Sequence, residues 1–185
     1  MPPKMTWPAD ATGEAERAVH EKILQDGAET AQSSIGLMEG ASVLTLKGAL
    51  RVETLRMGDR VITRAGAQYV TRITTLSAVL PAVYVIAGSL SHYRTDRDCM
   101  LPACQTILIR DWRARALTGR SEALLRAQSL VDGEFVRAIE PRPMTLHRLF
   151  LGTAQVLYSD GMELGSAEAR PVAMLSETEP VKRAV

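Results

Sequence analysis

The sequence predicts a single, mainly all-β domain, and two observations support this fold class. Residues 36–67 contain three turn signals, at 47–49 (Lys-Gly-Ala), 58–59 (Gly-Asp) and 65–67 (Ala-Gly-Ala), separated by short apolar runs. Glycine supplies the positive φ that tight hairpin turns require. The composition, with 185 residues of which 46% are apolar and 4% aromatic, suits one domain with an aliphatic core.

The first 34 residues are expected to form an extension to this domain. Residues 1–12 are rich in proline. Ala15, Ala18, Val19, Ile23 and Leu24 then recur at helical spacing, which predicts an amphipathic helix over about 14–31. Residues 32–34 are interpreted as a linker. The domain itself is expected to span 35–170, followed by a charged C-terminal tail over 171–185.

Short β-strands are predicted along the rest of the chain. They lie at 43–46, 50–52, 61–63, 68–75, 82–87, 106–109, 135–139, 144–151 and 155–158. Further turns are predicted at 131–134 (Val-Asp-Gly-Glu) and 159–161 (Ser-Asp-Gly). The polar segment over 88–98 indicates a loop.

One short inserted helix is predicted over 121–130. Ser121 is a plausible N-cap with Glu122 in the first turn, and Leu124, Leu125 and Ala127 form an apolar stripe.

The charge balance excludes a strongly electrostatic partner. The 22 lysines and arginines are scattered among 21 acids, for a net charge of +1, so neither nucleic-acid nor membrane binding is expected. Arg110, Arg113, Arg115 and Arg120 are the nearest approach to a cluster, and a solvated basic face is favoured over a phosphate or anionic-lipid site. The absence of a long apolar run argues against a signal peptide or a membrane span and favours the cytoplasm, although export by an unrecognised route stays open.

Neither a disulfide framework nor a metal or other cofactor is expected. Cys99 and Cys104 do not have CxxC spacing. A metal site built from His92, Cys99 and Cys104, with Asp96 or Asp98, would have suitable ligand types but no recognised spacing.

The turn framework resembles that of a known family. The segments 40–45 (Gly-Ala-Ser-Val-Leu-Thr) and 52–63 (Val-Glu-x-Leu-x-x-Gly-Asp-x-Val-x-Thr) are similar to the opening of Hint domains, the autoprocessing modules of hedgehog proteins and inteins. The segments 101–109, 130–133, 146–150 and 158–161 resemble a bacterial Hint subfamily. The resemblance covers about 35–170 and implies a horseshoe-like β disk.

The resemblance also implies a reaction centre. In active members, a Cys or Ser at the first position of the module attacks the preceding carbonyl, and a Thr-x-x-His element polarises that peptide. Here the nucleophile position falls on Gly36, and the Thr-x-x-His element aligns with Leu101 and Cys104. His147 matches a late-strand histidine, but the second histidine position falls on Thr153. The catalytic positions are therefore expected to be vestigial.

Four side chains have a structural and a functional interpretation. For His147, a hydrogen-bonded strand histidine is favoured over a catalytic base, and for Cys104 an inert buried thiol over a nucleophile. Asp59 is expected to accept backbone N–H bonds in its turn rather than act as an acid or base. Trp112, beside Arg113, could be a partner-binding residue or a core residue, and the sequence leaves this open.

The favoured function is a Hint-family domain that has lost autoproteolysis and acts as a binding or structural module, so it is not expected to be an enzyme. The alternative is a self-processing chain that cleaves near residues 32–36, with Ser33, Ser34 or Cys104 as the nucleophile. A hydrolase acting on separate substrates has no support in the sequence.

Overall fold

The computed structural model describes residues 35–90 and 97–171, which contain twelve strands, one α-helix and two short 3-10 turns. The strands are β1 (Leu37–Met38), β2 (Ser42–Thr45), β3 (Gly48–Arg51), β4 (Arg60–Thr63), β5 (Gly66–Tyr69), β6 (Arg72–Val85), β7 (Cys99–Pro102), β8 (Thr106–Ile109), β9 (Ala123–Arg126), β10 (Val136–Phe150), β11 (Val156–Ser159) and β12 (Met162–Gly165). The helix is α1 (Trp112–Thr118), and the 3-10 turns are Val52–Thr54 and Ala127–Leu130. The helix predicted over 14–31, the linker over 32–34 and the tail from residue 172 lie outside the described residues.

The strands form two antiparallel sheets, which confirms the mainly β prediction. One has the order β1-β10-β6-β7, and the other has the order β3-β2-β4-β11-β12-β8-β9, with β5 paired to β4. The long strands β6 and β10 pair along most of their length, with a register irregularity between Ile139 and Arg142. The segments predicted as separate strands at 82–87, 135–139 and 144–151 therefore belong mostly to this one strand pair.

The core is aliphatic, as the composition predicts. Side chains from both sheets are almost completely buried, among them Val43, Val61, Val83, Leu125, Leu146, Leu149, Leu157 and Leu164. Burying a leucine or valine contributes roughly 1.5–3 kcal/mol each.

Two hairpins in the N-terminal part close with the same chemistry. Thr45 Oγ1 donates to Gly48 O at 2.7 Å and accepts from Lys47 N at 3.0 Å. Thr63 Oγ1 donates to Gly66 O at 2.7 Å, and Gly48 and Gly66 have φ of 100° and 99°. The predicted turns are confirmed, and in each hairpin the glycine is the first residue of the second strand.

The predicted helix over 121–130 is wrong, because the helix lies about ten residues earlier. Asp111 caps α1 by accepting from Arg113 N at 2.9 Å, and Gly119 ends it with a φ of 73°. Residues 123–126 instead form β9, where Ala123 and Leu125 are buried and Arg126 is exposed. This alternation has the period of a strand rather than of a helix.

Within the described residues, no helix has both the length and the apolar character needed to cross a bilayer.

Gly165, the last residue of β12, occupies a site with no room for a side chain. A Cβ atom there would overlap Thr106 Oγ1 and lie 2.7 Å from Ala169 Cβ. We expect Gly165→Ala to lower the free energy of unfolding by about 1–3 kcal/mol in a urea titration, because overpacking forces neighbouring atoms apart. Adding Thr106→Ala removes the overlapping oxygen and should recover part of the loss. A double variant no more stable than Gly165→Ala would show that the overlap is not the cause.

Candidate functional site

Gly36, the position that matches the family nucleophile, lies immediately before β1 and is buried. Its neighbour Leu37 pairs with His147 of β10. A Cβ at residue 36 would lie 3.0 Å from Arg148 Cγ, 3.2 Å from His147 O and 3.3 Å from Leu146 Cβ. The peptide that joins residues 35 and 36 is therefore held close against β10, and a larger residue at 36 would require Arg148 to move.

The side chain that contacts this peptide is Gln105. Gly36 N donates to Gln105 Oε1 at 3.0 Å. Gln105 follows the turn between β7 and β8, and it is completely buried at 0% exposure. Its Nε2 group donates to Thr106 O at 3.1 Å and to Gly165 O at 3.0 Å. Both donors and the acceptor of the amide are thus engaged, which fixes its orientation.

The two positions aligned with the Thr-x-x-His element lie nearby but have other roles. Leu101 pairs with Val83 and belongs to the hydrophobic core. Cys104 is half-buried in the turn that precedes Gln105. It is Gln105, the residue after Cys104, that contacts the Gly36 peptide. Sequence reasoning missed Gln105, and the signal that could have found it is a lone polar residue immediately before the β-branched strand 106–109.

His147 lies in β10, as its interpretation as a strand histidine predicts, and faces Leu37 on one side and Thr75 on the other. Its Nε2 atom is buried and has no hydrogen-bond partner. The predicted hydrogen bond is therefore missing at that atom.

The Gly40 N–H holds the pKa of Glu53 below its ordinary value, and His147 adds a smaller effect in the same direction.

Thr153, the position matched to the second histidine, is exposed between β10 and β11. Its hydroxyl accepts from Gln155 Nε2 at 2.9 Å. The candidate nucleophiles Ser33 and Ser34 lie outside the described residues.

Only some of the residues considered as metal ligands belong to the described part of the chain. His92 and Asp96 lie outside the described residues. Asp98 accepts from Tyr84 Oη at 2.6 Å and from Ala87 N at 2.8 Å. Burial raises the pKa of the Cys99 thiol to about 12, so the free thiol is protonated near neutral pH.

Asp59 forms hydrogen bonds within its turn, and Trp112 lies at the surface. Asp59 accepts from Arg56 N at 2.8 Å and from Lys47 Nζ at 2.9 Å, and the Lys47 bond is the main reason that its pKa is lowered. This supports the turn-stabilising interpretation. Trp112 is 72% exposed at the start of α1, so it is a surface residue rather than a core residue.

A cavity of about 760 Å³ lies beside the β2–β3 hairpin and the β11–β12 turn, lined in part by Leu44, Arg51, Arg97 and Asp160. Its lining does not include Gly36, Gln105 or His147. The cavity and the Gly36 peptide are therefore separate features.

The local chemistry at Gly36 limits what this centre can do. Cleavage of the peptide between residues 35 and 36 requires a nucleophile and a proton for the leaving nitrogen. Residue 36 has no side chain, and Gln105 Oε1 accepts a hydrogen from that nitrogen. A primary amide has no proton to transfer near neutral pH. The nitrogen of this peptide therefore donates to an amide that is itself fully hydrogen-bonded.

Comparison with known proteins identifies the fold. A family model described as "Hint domain" matches residues 35–169. The solution structure of a bacterial intein-like domain from Clostridium thermocellum is 12% identical, with a TM-score of 0.50, and the match covers 71% of this chain and 98% of that one. The gp41-1 intein crystal structure is 9% identical, with a TM-score of 0.46, covering 70% and 96%. No curated protein sequence matches the chain.

Proposed function

Because this chain belongs to the Hint domain family, we propose that it uses the family scaffold as a binding or structural module and does not cleave its own backbone. The hydrogen bond from Gly36 N to Gln105 Oε1, at 3.0 Å, is the observation that carries the proposal. An acyl shift at this peptide would need a proton donor beside Gly36 N, and the neighbouring side chain is a fully hydrogen-bonded, non-titrating amide.

The proposal is supported by the loss of several parts of the reaction at once. Gly36 offers no nucleophile, and Gln105 offers no proton. Leu101 and Thr153 lack the groups that the family positions require. The scaffold around them is intact, since Gln105 still ties β1 to the β12 end through Gly165 O. The same residue that cannot catalyse the reaction therefore supports the fold.

We expect purified protein to keep a single intact mass over several days, with and without dithiothreitol. A thiol reagent would capture a thioester and accelerate cleavage in an active member, because the thiolate attacks the activated carbonyl. Mass spectrometry of the whole chain detects any fragment that ends near residues 32–36. A thiol-accelerated break there would overturn the proposal in favour of self-cleavage by Ser33, Ser34 or Cys104. A chain heated to unfold it provides the control for nonspecific hydrolysis.

For a protein partner, we place the contact at the start of α1. Trp112 is exposed there, and exposed tryptophan and arginine side chains are typical anchors of protein interfaces. Arg113 is fixed beside it, since its Nη2 donates to Ser89 O at 3.1 Å and its guanidinium lies 5.7 Å from the Trp112 ring. A pre-ordered pair of this kind loses little side-chain entropy on binding.

A further inference from the structure

One face of the β6–β10 strand pair carries arginines beside an aromatic ring. Arg148 of β10 lies directly opposite Thr74 of β6, and Phe150 lies opposite Arg72. Because directly opposed residues, and residues two apart on one strand, point to the same side of a sheet, these four side chains share a face.

The two guanidinium groups converge on one ring. The Arg72 guanidinium lies 3.7 Å from the centre of the Phe150 ring, and that of Arg148 lies 5.3 Å from it. These cation–π contacts hold both guanidinium groups beside the same ring. The face therefore presents two ordered, positively charged hydrogen-bond donors.

Two polar atoms on this face are buried and have no hydrogen-bond partner: Arg148 Nε and Thr74 Oγ1. They belong to residues that face each other across the strand pair. A buried polar group without a partner destabilises the folded state, and more so when the group is charged. Two such donors on one opposed pair of residues indicate that an acceptor belongs between them.

No carboxylate of the described residues forms an ion pair with Arg72 or Arg148. Burial, followed by the charges of Arg72 and Arg170, lowers the pKa of Arg148. The arginines near α1 differ in this respect, since Arg110 Nη2 lies 2.8 Å from a Glu163 carboxylate oxygen and Arg113 Nη1 lies 3.5 Å from an Asp111 oxygen. Among the described residues, two arginines of the β6–β10 face thus lie over one ring without a carboxylate partner.

We propose that this face binds a small oxyanion of the phosphate type. The Arg148 and Arg72 guanidinium groups would donate to its oxygens, and the Thr74 hydroxyl would complete the set. Phosphate suits this site because its several acceptor oxygens can satisfy forked donors and a hydroxyl together. Arg148 Cγ lies 3.0 Å from where a side chain at Gly36 would begin, so the bound anion would sit beside the segment that enters the domain. This site goes beyond the proposed function and is independent of whether the chain cleaves itself.

The test is titration of the full chain with inorganic phosphate at constant ionic strength, with chloride as the reference, followed by calorimetry and by the midpoint of thermal unfolding (Tm). We expect phosphate to raise Tm, because a ligand that binds only the folded state stabilises it. Arg72→Gln and Arg148→Met should each weaken phosphate binding roughly 10- to 100-fold, as expected for the loss of hydrogen bonds to a charged group. Without phosphate, Arg148→Met should have an unchanged or higher Tm, because it removes an unpartnered Nε and a positive charge close to that of Arg72.

Arg60→Gln is the matched control. Arg60 also lies opposite an aromatic residue on an antiparallel strand pair, with its guanidinium 5.2 Å from the Tyr69 ring, but no second arginine of the described residues lies over that ring. It should bind phosphate as the wild type does. The proposal is overturned if phosphate raises Tm no more than chloride does, or if Arg72→Gln weakens binding no more than Arg60→Gln. Arg72 is exposed, so its variant keeps the test valid should Arg148→Met fail to fold.

Discussion

Replacing Gln105 with leucine is expected to destabilise the domain by about 2–5 kcal/mol, because buried hydrogen-bonding groups lose their partner together. Gly36 N loses its acceptor, and Gly165 O and Thr106 O lose a donor. Leucine has nearly the same size, so the loss would report hydrogen bonding rather than a cavity. Urea unfolding at 25 °C measures the difference.

Gln68→Leu is the control for this substitution. Gln68 is half-buried in β5, and no side-chain hydrogen bond to it is recorded among the described residues. Its replacement should change the free energy of unfolding by no more than about 0.5 kcal/mol. Equal losses for the two variants would mean that the Gln105 bonds are not what holds this region together.

Gln105→Glu tests the same hydrogen bonds through the pH dependence of the free energy of unfolding. A carboxylate could still accept from Gly36 N, but it would face the carbonyl oxygens of Thr106 and Gly165, to which it cannot donate. Burial and these oxygens would raise its pKa in the folded state above the unfolded value of about 4.3. The folded state then binds more protons than the unfolded state. The stability of the variant relative to wild type is therefore greatest below pH ~4.3, the unfolded pKa, and is lost as the pH rises through the folded pKa. A pH-independent difference between pH 4 and 7 would contradict this.

The fold could be predicted because its turns depend on local chemistry. Gly48 and Gly66 adopt positive φ in the hairpins where the sequence predicts turns, and the alternation between turns and short apolar runs identifies strands without tertiary information. Strand 106–109 was predicted at its observed bounds. The predicted helix is misplaced because Leu124 and Leu125 suit a helix as well as a strand. The helix of the structure begins instead after its N-cap, Asp111.

The site was harder to predict because its bonds join residues far apart in sequence. Gln105 and Gly36 are separated by 69 positions, and although the position of Gln105 before strand 106–109 is a local signal, nothing local identifies Gly36 N as its partner. The same holds for the arginines of the β6–β10 face, which are 76 positions apart and are brought over one ring only by strand register. Local pattern indicates strands and turns, but register decides which side chains meet.

The proposed loss of autoproteolysis at the Gly36 peptide can be tested by restoring the missing groups one at a time. Gly36→Cys supplies a nucleophile, yet we expect this variant to remain intact in dithiothreitol, because Gln105 still cannot protonate the leaving nitrogen. Gln105→His alone should also remain intact for want of a nucleophile. The double variant places a thiol and a titratable imidazole against the same peptide. It should release a fragment comprising residues 1–35 when thiol is added.

Intact-mass spectrometry of the four proteins separates the two causes of inactivity. If Gly36→Cys alone breaks between residues 35 and 36, then the nucleophile is the sole missing part and Gln105 is no obstacle. If the double variant is folded and still intact, the scaffold has lost more than these two side chains. Arg148 is the first further obstacle to examine, since its Cγ would lie 3.0 Å from the new Cβ at residue 36. Arg148→Ala in the double variant would then give the cysteine room to reach the carbonyl, because the remaining close contacts of 3.2 and 3.3 Å require shifts of only a few tenths of an ångström.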